Sequence, residues 1–231
     1  MDNSCRCILL HVRELSEHKK ILECFSEEFG RIGLVISTNN HIIPDYFRLI
    51  SVEFTGGTGL KTLQSYQYEQ KFISLDATKQ VAALYFNELL FYLTKQNDPH
   101  EWLLPFYLVS LAKLKSENSI ELILREFEYE LLSKIGFSIN FEQDVDGLPI
   151  NTDFWYRFCP LKGFERINQQ VKYSVNGSMI FQLKQKNWQT TPNNKIIKYI
   201  LTSQIEKILD GKILNSKALW PKKHTNIKVN K

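Results

Sequence analysis

Long apolar runs are missing from this chain of 231 residues. The opening segment is interrupted by His11 and Arg13, and no stretch approaches the ~18 apolar residues that a membrane helix needs. We therefore expect a chain with no membrane partner, and nothing in the opening segment directs it out of the cytoplasm. With 43% hydrophobic and 13% aromatic residues, the chain is also too apolar to be disordered.

Cysteine is scarce, and its spacing argues against a metal site. Cys5 and Cys7 lie two apart in a strand-like segment, which places both on one face, whereas Cys24 and Cys159 are isolated. No second Cys or His pair completes a tetrahedral zinc set. We expect reduced structural thiols, no metal and no cofactor.

Common catalytic signatures are absent as well. The chain has no Gly-rich phosphate loop, no G-x-S-x-G and no H-E-x-x-H. Asp144, Asp146 and Gly147 look like the start of a calcium loop, but the glycine comes two positions early and Trp155 stands where a bidentate Glu belongs. The sequence therefore predicts a protein that is not an enzyme.

Acidic residues are rare in the last third of the chain, a feature that the overall net charge of +4 conceals. Residues 1–160 carry 15 Lys and Arg against 22 Asp and Glu, whereas residues 161–231 carry 14 against 3. A cationic surface of that size attracts polyanions, so this part is a candidate for contact with nucleic acid; a solubilising basic tail is the alternative. The candidate DNA-binding lysines here are Lys212, Lys217, Lys222 and Lys223.

The spacing at which apolar residues recur along the sequence changes near residue 75, from a strand-like to a helical pattern. Between residues 5 and 73, five short segments rich in Ile, Val, Phe and Tyr alternate with turn residues, which is typical of a small closed barrel. Helical patterns follow. Asp76 is the expected N-cap of the first helix, and Asn118 that of the third, which Gly136 should end.

These patterns predict an α+β protein: a five-stranded barrel, an α-helical domain and a basic C-terminal region. The segment from 141 to 177 reads as irregular, around an aromatic cluster at 154–158. Helices are expected at 178–188 and 193–209, packing with the helical domain. The predicted parts are the barrel at 1–75, the helical domain at 76–140, the irregular insert at 141–177, and the C-terminal helices and basic tail at 178–231.

In the order and spacing of several sequence segments, the chain resembles RecO, a family of bacterial recombination mediators. The resemblance rests on the barrel with its hairpin at 56–63, on Asn87-Glu88-Leu89-Leu90, on LREFEYELLSKIGFSINF at 124–141 and on GKILNSKALW at 211–220. It covers nearly the whole chain. It implies an OB-fold barrel, annealing of single strands, and loading of RecA, together with RecR, onto strands coated by single-stranded DNA-binding protein. It also implies a cytoplasmic, nucleoid-associated protein.

Two departures from the family pattern change these expectations. Many RecO proteins carry a four-cysteine zinc module after the third helix, and here that region holds only Cys159. We expect the aromatic cluster at 154–158 to pack in its place. The family's basic loop after the third strand is replaced by residues 37–41, Ser-Thr-Asn-Asn-His, which should weaken DNA binding by the barrel.

OB barrels bind single strands with cations for the phosphates and aromatic rings for the bases. Phe47, Tyr66 and Tyr68 are candidate stacking platforms, with burial in the barrel core as the alternative. The candidate DNA-binding cations of the barrel are Lys19, Lys20, Arg31, Arg48 and Lys61.

The resemblance also implies that the helical domain binds the acidic C-terminal tail of single-stranded DNA-binding protein. A tail carboxylate taken out of water needs a cation, and a guanidinium can pair with it bidentately. Arg125, within the matching helix, is the candidate; its alternative role is a surface ion pair with Glu121. Lys113, Lys115 and Lys134 are candidate helpers.

Two functions of different classes follow from the sequence. The first is a mediator that binds and anneals single-stranded DNA. The second is a protein-interaction adaptor with a structural barrel and little direct DNA binding. The salt dependence of DNA binding separates them, because only phosphate contacts give a steep loss of affinity with salt.

Overall fold

The computed structural model describes residues 3–39, 41–57, 59–71, 73–117 and 119–220. Their contacts divide them into two units. One comprises the described residues up to 117 together with 214–220, and the other runs from 119 to 213. The predicted DNA contacts Lys222 and Lys223 lie outside the described residues. No helix of the described part is both long and apolar enough to cross a bilayer.

Five strands close into a barrel in the first unit. Its order is β1-β2-β3-β5-β4, and β4 pairs back onto β1. The pairing of β3 with β5 is parallel and the others are antiparallel, so the predicted five-stranded OB-type barrel is confirmed. The strands are β1 (Asn3–Ser16), β2 (Lys19–Ser26), β3 (Gly30–Ser37), β4 (Leu49–Thr55) and β5 (Lys61–Tyr68).

The long strand β1 closes the barrel by serving two neighbours. Its residues 3–8 pair with β4, and its residues from Cys7 onward pair with β2 across register shifts after Leu9 and Glu14. Such irregularities bend a strand and increase its twist, which closure requires. Alternation then turns Cys7 and Leu9 inward, and Cys5, Cys7 and Cys24 lie in the apolar core as free thiols.

Two helices follow the barrel, α1 (Ala77–Leu93) and α2 (Leu103–Ser116). The Asp76 carboxylate accepts a hydrogen bond from the Lys79 backbone N–H at 2.9 Å, so the predicted N-cap is confirmed. Pro105 occupies the first turn of α2, where its missing N–H removes no helical hydrogen bond.

One buried amide joins three elements of this unit. Asn87 on α1 donates from Nδ2 to the Leu9 carbonyl of β1 at 3.1 Å, and its Oδ1 accepts from the Tyr107 hydroxyl of α2 at 2.6 Å. The Asn87 Nδ2 and Oδ1, the Leu9 carbonyl and the Tyr107 hydroxyl therefore each have a hydrogen-bond partner at a site where Asn87 is only 1% exposed. The amide thus fixes how α1 lies against both neighbours.

A 3₁₀ helix at Asn215–Leu219 also belongs to the first unit and is attached to α1. The Glu88 carboxylate accepts hydrogen bonds from the backbone N–H groups of Asn215 and Ser216, at 2.8 and 2.9 Å, and from the Ser216 hydroxyl. These N–H groups begin the 3₁₀ helix, where they have no partner within it, so Glu88 acts as its N-terminal cap from another element.

The second unit combines three helices with a small sheet. The sheet has the order β7-β6-β8, and both of its pairings are antiparallel. The elements are α3 (Ile120–Lys134), β6 (Trp155–Cys159), β7 (Gly163–Ile167), β8 (Val175–Asn176), α4 (Gly177–Lys184) and α5 (Thr191–Leu209).

The structure differs from the sequence predictions in this unit. The segment from 141 to 177 is not irregular, because it contains the three strands. None of these strands exceeds five residues, which is too short for an alternation of apolar and polar residues to be recognised in a segment rich in aromatic residues. The helix expected at 178–188 ends at Lys184. The predicted cap Asn118 lies outside the described residues, and Ser119, which precedes α3, forms no capping bond with any described residue.

Candidate nucleic-acid interface

One cation and two aromatic rings meet at the end of β5. The Arg48 guanidinium lies 3.4 Å from the centroid of the Tyr68 ring, and the Tyr66 ring meets Tyr68 edge to face at 5.6 Å. Arg48 also donates to the Asp45 carboxylate at 3.0 Å and to the Gln70 carbonyl at 2.9 Å. Arg48 is therefore held in place beside the ring rather than free to move.

The two tyrosines of this group differ in exposure. Tyr66 packs against the barrel core, and burial raises the pKa of its phenol. Tyr68 is 37% exposed, and its hydroxyl accepts from the Asp45 backbone N–H at 2.9 Å. An exposed ring beside a fixed cation suits stacking with a nucleobase, whereas Asp45 offsets much of the cation's charge. Phe47, the third candidate platform, is partly buried at a positive φ of 64°.

The outer face of β2 and β3 is occupied by the protein's own side chains. Glu23 on β2 is 1% exposed and accepts from Arg13 at 2.6 and 3.0 Å and from Arg31 at 3.2 Å. Arg31 also lies 4.7 Å from the ring centroid of Phe91 on α1. Burial lowers the pKa of the Arg31 guanidinium, while the Glu23 carboxylate opposes that shift.

The backbone after α1 covers the same face. Asn97 donates to the Arg31 carbonyl at 3.0 Å, and the Asp98 backbone lies so close to Gly30 that a Cβ there would be 2.3 Å from the Asp98 oxygen. Leu60 likewise lies against Gly33. OB barrels commonly bind oligonucleotides on the face of strands 2 and 3. In this chain that face is internal to the first unit, which the sequence pattern did not predict.

The lysines predicted for the barrel differ in accessibility. Lys19 is exposed and makes no ion pair with any residue that the structure describes. Lys20 contacts the Glu14 carboxylate at 2.8 Å. Lys61 is only 5% exposed, and its Nζ donates to the Gly59 carbonyl at 3.3 Å. Further along the chain, Lys212 and Lys217 are both exposed.

Arg125 on α3 is buried, so the alternative of a surface pair with Glu121 is wrong. It is 5% exposed, and its Nη2 lies 2.8 Å from the carboxylate of Glu128, which is itself buried. The buried face of α3 is not formed by apolar residues alone, because it includes both Arg125 and Glu128. Among the described residues, nothing accepts a hydrogen bond from Arg125 Nε or Nη1. Two nitrogens of a buried guanidinium, on different edges of the group, therefore have no acceptor within the described part of the chain.

The candidate helpers of Arg125 are divided between the units. Lys134 ends α3 in the second unit and is exposed. Lys113 and Lys115 lie in the last turn of α2, in the first unit; Lys115 is exposed and Lys113 is half-buried.

Potential metal ligands are dispersed across the described residues. No group of three or more His, Cys, Asp or Glu side chains within that part of the chain is placed to hold a metal ion. Cys159 contacts the Glu165 carboxylate at 3.4 Å, and partial burial raises the pKa of its thiol. Tyr156 and Phe158, from the aromatic cluster, are buried in this region. Folding without zinc stays a prediction.

Comparison with known proteins places both halves of the chain in one family. Residues 1–72 match Recombination protein O N terminal, and residues 74–216 match Recombination protein O C terminal. The boundary between the two matches falls between the last barrel strand and α1.

Similar proteins cover almost the full length. The DNA repair protein RecO of Aliivibrio salmonicida is 28% identical over 223 residues, which is 93% of this chain and 94% of that protein. The DNA repair protein RecO of Photobacterium profundum is 28% identical over 236 residues, or 98% and 99% of the two chains. That of Halorhodospira halophila is 28% identical over 222 residues, or 92% and 94%. Since the family matches span the barrel and the helices that follow it, the chain belongs to the RecO family of DNA repair proteins.

Proposed function

We propose that this protein binds single-stranded DNA and single-stranded DNA-binding protein, anneals complementary strands and, with RecR, helps to load RecA in the bacterial cytoplasm at the nucleoid. Family membership supports the proposal. The observation that carries it is the exposed Tyr68 ring at the end of the barrel, with the Arg48 guanidinium fixed 3.4 Å from its centroid. A base stacked on such a ring contributes ~1–3 kcal/mol.

Substitutions at Tyr68 test this site. Tyr68→Ala removes the ring and should weaken binding of an oligothymidine by about tenfold, the scale of one stacked base. Tyr68→Phe keeps the ring and should bind within about twofold of the wild type, because stacking on the ring does not need the hydroxyl that accepts from the Asp45 backbone. Fluorescence anisotropy measures both. Equal affinities of Tyr68→Ala and wild type would show that bases do not stack here.

For the partner protein, we propose that Arg125 receives the carboxylate of the acidic tail. Its Nη1 is a buried donor with no acceptor among the described residues, and a carboxylate that accepts from Nη1 and from the second N–H of Nη2 would be held end-on in a bidentate geometry. This geometry needs the planar fork of a guanidinium, which a lysine ammonium does not provide. The proposal therefore predicts a penalty for replacing Arg125 even by another cation.

The test compares two Arg→Lys variants of the same unit. Arg125→Lys preserves the charge opposite Glu128 and should weaken binding of an acidic tail peptide by about tenfold. Arg157→Lys is the matched control, since Arg157 is an exposed arginine paired with Glu165. Calorimetric titration of the peptide gives the affinities, and thermal unfolding verifies that both variants are folded. If both bind the peptide equally well, the docking site lies elsewhere.

One observation favours the adaptor as a second candidate function. The outer face of β2 and β3 is covered from within the unit, Arg31 is paired with Glu23, and Lys61 is buried. A barrel so arranged has few free cations for phosphates. An adaptor would bind the tail peptide normally yet show weak binding to bare single strands at every salt concentration, without the steep salt dependence of phosphate contacts.

A further inference from the structure

Two open cavities adjoin on the surface of the second unit, along α5. Their volumes are about 370 and 410 Å³, and both are lined by Tyr173 and Lys195. The first also contains Lys198 and Tyr199, and the second contains Trp155. Together they form one groove that combines aromatic rings with lysines, and we call it the Tyr173 groove.

Tyrosine rings are stacked within this groove. The rings of Tyr173 and Tyr199 are 4.5 Å apart between centroids and only 12° from parallel. Tyr173 remains 46% exposed, and the Lys172 ammonium lies 5.0 Å from its ring centroid. A surface cation–π contact is worth ~0.5–1 kcal/mol, less than a stacked base, so a base could displace Lys172 from the ring.

The backbone holds Tyr173 at a position that ordinarily favours glycine or asparagine. Tyr173 is the third residue of a turn closed by the Ser174 N–H and the Val171 carbonyl at 3.0 Å, and its φ is +61°. Left-handed backbone is unusual for a bulky residue and costs ~1–3 kcal/mol. Ser174 also fixes the turn through its hydroxyl, which bonds the Val171 N–H and carbonyl. The turn therefore presents a large ring where a smaller residue would fit better.

The charge around the groove is mainly positive. Lys172, Lys195 and Lys198 are exposed, and neither Lys195 nor Lys198 forms an ion pair with any residue in the part of the chain that the structure describes. Glu206 is the acidic side chain in the lining. Lysines alone would suit any polyanion, whereas stacked exposed rings beside lysines match the bases and phosphates of a single strand.

We propose that the Tyr173 groove is a binding site for single-stranded nucleic acid, separate from the ring of Tyr68. The inference deepens the proposed function and rests on it. Bases stack on Tyr173, and the phosphates lie against Lys195 and Lys198. The groove lies entirely within the second unit, so a strand could be held there without any contribution from the barrel.

The first test separates the ring from the stability of the turn. Tyr173→Asn keeps a residue that tolerates positive φ, so the protein should remain as thermally stable as the wild type while its affinity for oligothymidine falls about tenfold. Tyr173→Phe should retain wild-type affinity, because stacking does not need the hydroxyl. If Tyr173→Asn is stable and binds like the wild type, the proposal is overturned.

A second test addresses the lysines in the full-length protein. Lys195→Gln with Lys198→Gln should reduce the magnitude of the salt slope by about 1.4, at ~0.7 for each phosphate of a single strand. The control, Lys162→Gln with Lys184→Gln, removes the same charge from exposed positions outside the groove lining and should leave the slope nearly unchanged. Equal changes in both double variants would mean that only net charge matters.

Other outcomes distinguish this proposal from the proposed function. If the wild type binds oligothymidine and Tyr68→Ala weakens binding while the groove variants do not, the groove is refuted and the proposed function stands. If the wild type binds no single strand at all, both fail. If Tyr173→Asn lowers the affinity for an acidic peptide but not for oligothymidine, the groove is a peptide site and the proposal is wrong.

Discussion

At the residue scale, individual buried polar side chains connect the elements of the first unit. Asn87 satisfies the Leu9 carbonyl and the Tyr107 hydroxyl, and Glu23 forms ion pairs with both Arg13 and Arg31. Each lies at a position that is almost fully buried. Such groups stabilise only while all partners are present, because an unsatisfied buried polar group costs ~1–3 kcal/mol.

We expect Asn87→Ala to lower the free energy of unfolding by about 2–3 kcal/mol, since it leaves the Leu9 carbonyl and the Tyr107 hydroxyl without their partner. Tyr107→Phe removes one hydroxyl and should cost about 1 kcal/mol, because the Asn87 bond to Leu9 remains. Urea unfolding measures both. Stability of Asn87→Ala within error of the wild type would contradict this role.

The burial of Arg125 could not be predicted from the pattern of apolar residues in α3. The apolar pattern of α3 includes Leu124, Phe127 and Leu131 at helical spacing, and these three residues lie in the core. It did not place Arg125 and Glu128 there, because the pattern counts apolar residues only, whereas a buried ion pair can share the same face. The burial of Arg125 could be found only from the packed structure.

At the scale of elements, the 3₁₀ helix depends on α1. Glu88 accepts from two backbone N–H groups and from the Ser216 hydroxyl, and Leu214 and Ser216 are buried in the same region. This contact joins two of the segments on which the family resemblance was based, Asn87-Glu88-Leu89-Leu90 and GKILNSKALW. The two segments are therefore in direct contact, through the hydrogen bonds by which Glu88 caps the 3₁₀ helix.

Glu88→Ala should release this attachment. We expect the amide hydrogens of Asn215 and Ser216 to exchange at least about tenfold faster, because each loses its acceptor, while the barrel amides remain as protected as before. Glu88→Gln keeps a single amide oxygen and should give an intermediate rate. Hydrogen exchange followed by mass spectrometry makes the measurement. Unchanged exchange at both amides would mean that other contacts hold the 3₁₀ helix.

Element length explains which elements could be predicted. The barrel strands have seven to fourteen residues and α1 has seventeen, long enough for a period to be recognised. The strands β6, β7 and β8 have five, five and two residues, so their pairing rather than their own pattern defines them. The burial of the outer face of β2 and β3 could not be predicted from the strands either, because it results from contacts with α1, which follows them in the sequence.

For the whole molecule, the charge division remains the main electrostatic feature. The first 160 residues have a net charge of −7 and the remainder +11. In the barrel, the structure pairs or buries most of the predicted DNA-binding cations, among them Arg31, Arg48 and Lys61. We therefore expect phosphate contacts to come chiefly from the basic C-terminal part.

Deleting residues 221–231 tests that expectation. The deletion removes Lys222, Lys223, Lys228 and Lys231, and it should reduce the magnitude of the salt slope by up to about 3, at ~0.7 for each lost phosphate contact. The same deletion should leave thermal unfolding of the rest nearly unchanged. An unaltered slope would place the phosphate contacts elsewhere.

Metal dependence is a second property of the whole chain. The described residues offer no cluster of three metal ligands. We expect elemental analysis to find far less than one zinc per chain, and a chelator to leave the melting temperature unchanged. Stoichiometric zinc, or unfolding on chelation, would contradict this expectation.

The decisive measurement is the affinity of the full-length protein for bare oligothymidine as a function of salt. A mediator that contacts at least four phosphates predicts a linear fall of log K with log salt between about 50 and 200 mM, with a slope of magnitude about 3 or more. Weak binding at every salt concentration, with a slope near zero, would contradict direct DNA binding and favour the adaptor.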